Sequence, residues 1–113
     1  MKALEIYKPP FISDGNFIWS SNDVMSLMLA DHFSNEEEVL SELAKILNGE
    51  DKPTKARKYE YNAPEILHNG EPLFVVRGWG HLTGSGAMNL EPEVAAKIQD
   101  EFAQWVIEKL TLQ

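Results

Sequence analysis

The chain has 113 residues, 18 acidic and 10 basic side chains, a net charge of −8 and no cysteine. That is the length of one domain, and it excludes a disulfide framework, a thiolate nucleophile and a zinc–thiolate site. The negative charge argues against direct binding of nucleic acid, whose phosphates call for a basic patch, and no apolar run approaches the ~18 residues of a membrane span.

Ala3 to Lys8 reads as a strand, with Leu4 and Ile6 on one face, stopped by Pro9-Pro10. Ser13-Asp14-Gly15-Asn16 is a turn signal and Phe17-Ile18-Trp19 a second strand, so the two strands are expected to pair as a wide hairpin. Asn22 or Asp23 is placed to cap a short helix through Val24, Met25, Leu27, Met28 and Leu29. Ser34 and Glu37 form a capping box for a longer helix, in which Val39, Leu40, Leu43, Ile46 and Leu47 recur at helical spacing and Asn48-Gly49 supplies a left-handed stop. Asp31 to Asp51 carries seven acids against Lys45, a local net of −6. Glu36 to Glu38 fall in the first helical turn, where the dipole favours negative charge, so much of this run reads as solvated helix surface.

Gly49 to Lys58 reads as an exposed loop whose Lys52, Lys55, Arg57 and Lys58 reverse the sign of the charge. Tyr59 and Tyr61 alternate with Glu60 on a strand. Ile66-Leu67-His68 and Leu73-Phe74-Val75-Val76 flank Asn69-Gly70, the dipeptide suited to the positive φ angles of a type I′ hairpin turn. The second of these strands is apolar on both faces, which predicts a central position with cover on each side. From Glu91 or Pro92 a long helix runs to about Leu110, with Val94, Ile98, Phe102, Trp105, Val106 and Lys109 in one stripe. Ala96, Ala103 and Ile107 widen the apolar arc and hint at a second contact surface, within the chain or between chains.

The candidate site lies between the central strand and the last helix: Arg77-Gly78-Trp79-Gly80-His81-Leu82-Thr83-Gly84-Ser85-Gly86-Ala87, which holds four of the seven glycines. Glycine lets the backbone approach a ligand closely. Arg77, His81, Thr83 and Ser85 add a cation, a titratable ring and two hydroxyls. A dinucleotide fingerprint needs G-x-G-x-x-G opening directly into a helix. The spacing here is G-x-G-x-x-x-G, and Glu91 and Glu93 at the helix mouth repel a pyrophosphate. No Lys-Ser or Lys-Thr follows a glycine, so a P-loop fails too, and no cofactor is expected. His32, His68 and His81, with Asp31 nearby, lie on separate elements without the spacing that puts two metal ligands on one face, so no metal site is expected. A hydroxyl nucleophile at Ser85 needs a base within reach and an orienting third group, and of the G-x-S-x-G elbow only Gly84-Ser85-Gly86 is present. The remaining reading is recognition: Trp79 between two glycines, with Arg77 beside it, joins the two residue types favoured as interface anchors. Its structural counterpart is that Trp79 plugs the core edge while the glycines turn the chain.

Arg77 to Gly84, R-G-W-G-H-L-T-G, and Ala95 to Trp105, A-A-K-I-Q-D-E-F-A-Q-W, together with the Asn48-Gly49-Glu50 turn, resemble a family of small uncharacterised bacterial proteins from gut anaerobes and their phages or mobile elements. The resemblance implies a cytoplasmic bacterial or viral setting. It brings no activity, cofactor or catalytic residue.

These readings predict one α+β domain over 1–113: a small, mainly antiparallel sheet with two or three helices, the long C-terminal helix along one sheet face and the Ser34–Asn48 helix nearby. The expected function is a non-enzymatic protein-binding or regulatory module using Arg77, Gly78, Trp79, Gly80, His81, Thr83 and Ser85. The expected partner is a protein, with a homodimer through the C-terminal helix as a further contact. Two alternatives stay open. One is an acidic mimic of nucleic acid, in which Glu36 to Glu38, Glu42, Glu101 and Glu108 stand in for phosphates and occupy a DNA- or RNA-binding partner. The other is a small hydrolase or transferase at Arg77, His81 and Ser85.

Overall fold

Two antiparallel three-stranded meanders, joined edge to edge, make one six-stranded sheet. The computed structural model describes residues 2–30, 36–53 and 58–111. In chain order the elements are α1 (Ala3–Ile6), β1 (Ile12–Asp14), β2 (Phe17–Trp19), β3 (Met25–Leu29), α2 (Glu36–Leu47), β4 (Tyr59–Asn62), β5 (Glu65–His68), β6 (Glu71–Val76), α3 (Trp79–Thr83) and α4 (Pro92–Leu110). The strands lie in the order β1-β2-β3-β6-β5-β4. Among the described residues this is an α+β arrangement with a wholly antiparallel sheet, two long helices and two helices of a single turn.

Register selects the core face. Ile18 opposes Leu27, Leu27 opposes Val76, Leu29 opposes Phe74, and Phe74 opposes Ile66. Side chains directly opposite one another share a face, and all six are buried. Leu40, Leu43, Ile46 and Leu47 of α2 and Ile98, Phe102, Val106 and Leu110 of α4 complete that core. Helix α2 packs against β1 and β2, helix α4 packs against β4, and the two helices touch each other. On the other face Phe17, Met28 and Val75 oppose one another in a row and stay half-buried, so β6 is central but closely covered on one side only.

The β5–β6 hairpin forms where Asn69-Gly70 places it, with φ of +52° and +83° at the two turn residues. The Asn48-Gly49 stop is also present: Gly49 has φ +76°, and Glu50 N–H bonds the carbonyl of Lys45 at 2.8 Å. Asn48 does more than end the helix. Its Oδ1 accepts from Phe11 N–H at 2.6 Å while its Nδ2 donates to the Phe11 carbonyl at 2.8 Å, tying β1's approach to α2. Phe11 itself is core, 5.9 Å from the ring of Phe102 and 5.7 Å from that of Trp105. The expected capping box rests on Ser34, which lies outside the described residues, as do His32, Asp31 and positions 54–57 of the loop before β4.

Two expectations are corrected. Ala3 to Lys8 is not a strand but the helical turn α1. Ala3, Ile6 and Tyr7 fall at i, i+3 and i+4, so a helix buries all three against α4, whereas strand alternation separates Ile6 from Tyr7. The place beside β2 is taken by β1, across the Gly15-Asn16 turn. The segment expected as a helix from Val24 to Leu29 instead forms the strand β3, Met25–Leu29. Asp23 has φ +62°, and Asn22 gives its amide to the Ile6 carbonyl at 2.9 Å instead of capping. Pairing on both sides, with β2 and β6, overrides the helix preference of Met and Leu.

Helix α4 begins with Pro92 at its first turn, as expected, and ends at Thr111, whose hydroxyl bonds the Ile107 carbonyl at 2.6 Å. Its buried line is Ala95, Ile98, Gln99, Phe102, Ala103, Val106 and Leu110, while Val94 and Lys109 are exposed. Part of the wide apolar arc is used inside the chain, where α4 meets α1, α2, α3 and β4 and Ala103 is buried, while Ala96 stays exposed and Ile107 half-buried. Among the described residues no helix is long and apolar enough to cross a membrane.

Candidate functional site

The segment from Arg77 to Ala87 is not a plain loop, since Trp79–Thr83 forms α3. Leu82, fully buried, anchors this turn and accepts from Leu90 N–H at 2.8 Å. Thr83 is absorbed locally, its hydroxyl bonding the Trp79 carbonyl at 2.8 Å. Gly84 closes the turn: its N–H bonds the Gly80 carbonyl at 2.9 Å, and an added Cβ would stand 2.5 Å from that same oxygen.

The entry to α3 is held by a buried polar node. The Tyr7 hydroxyl donates to the Arg77 carbonyl at 2.6 Å, and Gln99 Nε2 donates to the same carbonyl at 3.2 Å and to the Tyr7 oxygen at 3.4 Å. Tyr7 also lies flat on Phe102, with ring centroids 4.1 Å apart and planes 9° from parallel. Gly78 then turns the chain with φ +99°, and an added Cβ would meet the Tyr7 oxygen at 2.7 Å. Only glycine fits both the angle and the space. Burial pushes the Tyr7 hydroxyl pKa up to about 12, with the Gln99 hydrogen bond acting in the opposite sense.

Beside this node runs a groove of about 860 Å³. The β4–β5 turn contributes Tyr61 to Pro64, the strand ends contribute Met25, Val75 and Val76, and α4 contributes Ala96, Gln99 and Asp100. Arg77 to Gly80 complete the lining, and Trp79 stands 44% exposed there. Burial first, and the Asp100 carboxylate second, raise the pKa of Tyr61 above its ordinary value. Arg77 and Asp100 are both exposed, and among the described residues neither side chain has an ion-pair or hydrogen-bond partner.

Of the seven residues singled out in the sequence, Arg77, Gly78, Trp79 and Gly80 line the groove, whereas His81, Thr83 and Ser85 do not. His81 and Ser85 are exposed, and among the described residues their side chains share no hydrogen bond. His68 stacks obliquely on Tyr59 at 5.4 Å, and among the described residues no three His, Asp or Glu side chains are grouped to hold a metal ion. The acids proposed to imitate phosphates differ in surroundings. Glu38 and Glu42 share a shallow 400 Å³ depression with Lys45, and Glu101 is half-buried and accepts from Ala3 N–H at 3.4 Å.

Sequence reasoning missed Tyr61, Asn62, Gln99 and Asp100. Gln99 left a signal, because it falls between Ala95 and Ala103 on the i, i+4, i+8 line of α4 and is a polar residue where core is due. Asn62 and Asp100 left none, being ordinary surface residues until the fold sets them on one groove lining with Arg77. No protein-family model, curated protein or solved structure matches the chain.

Proposed function

We propose that this protein is a non-enzymatic binding module whose groove beside Trp79 takes a segment of a partner protein. The observation that carries the reading is Trp79 itself, 44% exposed on the lining of an 860 Å³ groove rather than plugged into the core. Tryptophan and arginine are favoured anchors at interfaces, and both stand on this lining. The Tyr7–Gln99–Arg77 node and Gly78 hold the segment rigid before any partner arrives, which lowers the ordering cost of binding. The resemblance to small bacterial proteins supports a cytoplasmic setting, where the absence of cysteine carries no penalty.

The test is quantitative capture of partners from lysate of the native host by wild type, by Trp79→Ala and by Ile12→Ala. Ile12 is 61% exposed on the edge strand β1 and lies outside the groove lining, so it serves as a surface control. The expected result is a protein held by wild type and Ile12→Ala and lost by folded Trp79→Ala. A folded Trp79→Ala that keeps every partner overturns the reading.

A further inference from the structure

We infer that the groove selects a partner segment pairing a basic side chain with an acidic one, the base directed to Asp100 and the acid to Arg77. This rests on the binding-module reading and names the chemistry of the bound segment. Asp100 and Arg77 are, among the described residues, the two charged side chains on the lining, opposite in sign and both exposed. Among the described residues each lacks an ion-pair partner, so they do not pair with each other. A bound chain excludes water from the groove, and each free charge then favours an opposite charge on the partner over an apolar group.

The aromatic residues reinforce the choice of a base for Asp100. Tyr61 and Trp79 share the lining with Asp100, and a lysine or arginine stem lies well against such rings while its head reaches a carboxylate. Tyr61 and Asp100 line the same groove, and the Asp100 charge, after burial, raises the Tyr61 pKa. The chain's net charge of −8 further draws basic segments toward the surface, though it does not by itself place them. Arg77 is held by its backbone in the Tyr7 node, and its exposed guanidinium, without an ion-pair partner among the described residues, is placed to take a carboxylate.

The probe is a displayed library of random peptides selected on wild type, Asp100→Asn, Arg77→Gln and Trp79→Ala. The expected result is wild-type binders that carry both a basic and an acidic residue and are lost on Trp79→Ala. The basic preference vanishes on Asp100→Asn and the acidic preference on Arg77→Gln, each substitution weakening an individual binder by about tenfold. Trp79-dependent binders without both charges, or with either preference surviving its substitution, overturn the inference and leave the binding-module reading in place. No Trp79-dependent binder at all overturns both.

Discussion

The hydroxyl of Tyr7 donates to the carbonyl oxygen of Arg77 at 2.6 Å, joining residues 70 positions apart in the chain. The one-turn helix α1 is thereby part of the site, although it does not line the groove. Removing that hydroxyl by Tyr7→Phe leaves Gln99 still donating to the Arg77 carbonyl. The expected loss in a urea titration is therefore modest, about 1 kcal/mol. Tyr7→Ala also discards the stack on Phe102 and opens a cavity, with an expected loss of about 3–5 kcal/mol.

Gly78→Ala meets two obstacles, the φ of +99° and the Tyr7 oxygen 2.7 Å from the new methyl. The expected destabilisation is about 1–3 kcal/mol. Because the nearest obstructing atom is the hydroxyl oxygen, Tyr7→Phe should recover part of it. A double-mutant cycle reads this directly, with a coupling of about 1 kcal/mol between the two positions. Strict additivity would show that the contact does not constrain Gly78.

Alkaline pH should act through the same hydroxyl. An unfolded tyrosine ionises near pH 10, whereas buried Tyr7 keeps its proton up to about 12. Ionisation therefore favours the unfolded chain first. Stability is fully present below pH 10, falls as pH rises toward 12, and levels once the folded state ionises too. The fall attributable to Tyr7 is on the order of 2 kcal/mol. Tyr61, raised in the same direction, adds to it. Urea midpoints measured between pH 8 and pH 12 should show the wild-type advantage over Tyr7→Phe shrink above pH 10 and reverse toward pH 12, since the variant has lost this proton.

Trp79→Ala separates binding from folding. The side chain is 44% exposed, so its removal gives up the contacts of the buried part, an expected loss of about 1–2 kcal/mol that leaves the variant folded. Binding of a groove ligand should weaken about thirtyfold, the scale of an interface anchor. Isothermal titration of a selected peptide, paired with a thermal melt of the same variant, measures both.

What could be read from the chain alone was what local chemistry decides. The Asn69-Gly70 hairpin, the Gly49 stop, Pro92 at the start of α4 and the central place of β6 all follow from φ preferences, capping and alternation. Residues 3–8 and 24–29 were misread because each sits between partners that outweigh its own pattern, α4 for the first and β2 and β6 for the second. The candidate site divides the same way. Arg77 to Gly80 announce themselves by composition, whereas Tyr61, Asn62 and Asp100 reach them only through β5–β6 pairing and the packing of α4. His81 and Ser85 attracted notice as residue types, but α3 turns them away from the groove.

The most direct test is to titrate a selected peptide into isotope-labelled protein and map the amide and side-chain NMR shifts. The expected result is a contiguous response from Asn62, Trp79 with its indole N–H, Gly80 and Asp100, with α2 and β1 silent. A response centred on the Glu38–Asp51 depression or on the Phe17–Met28–Val75 row, with Trp79 unmoved, would contradict it.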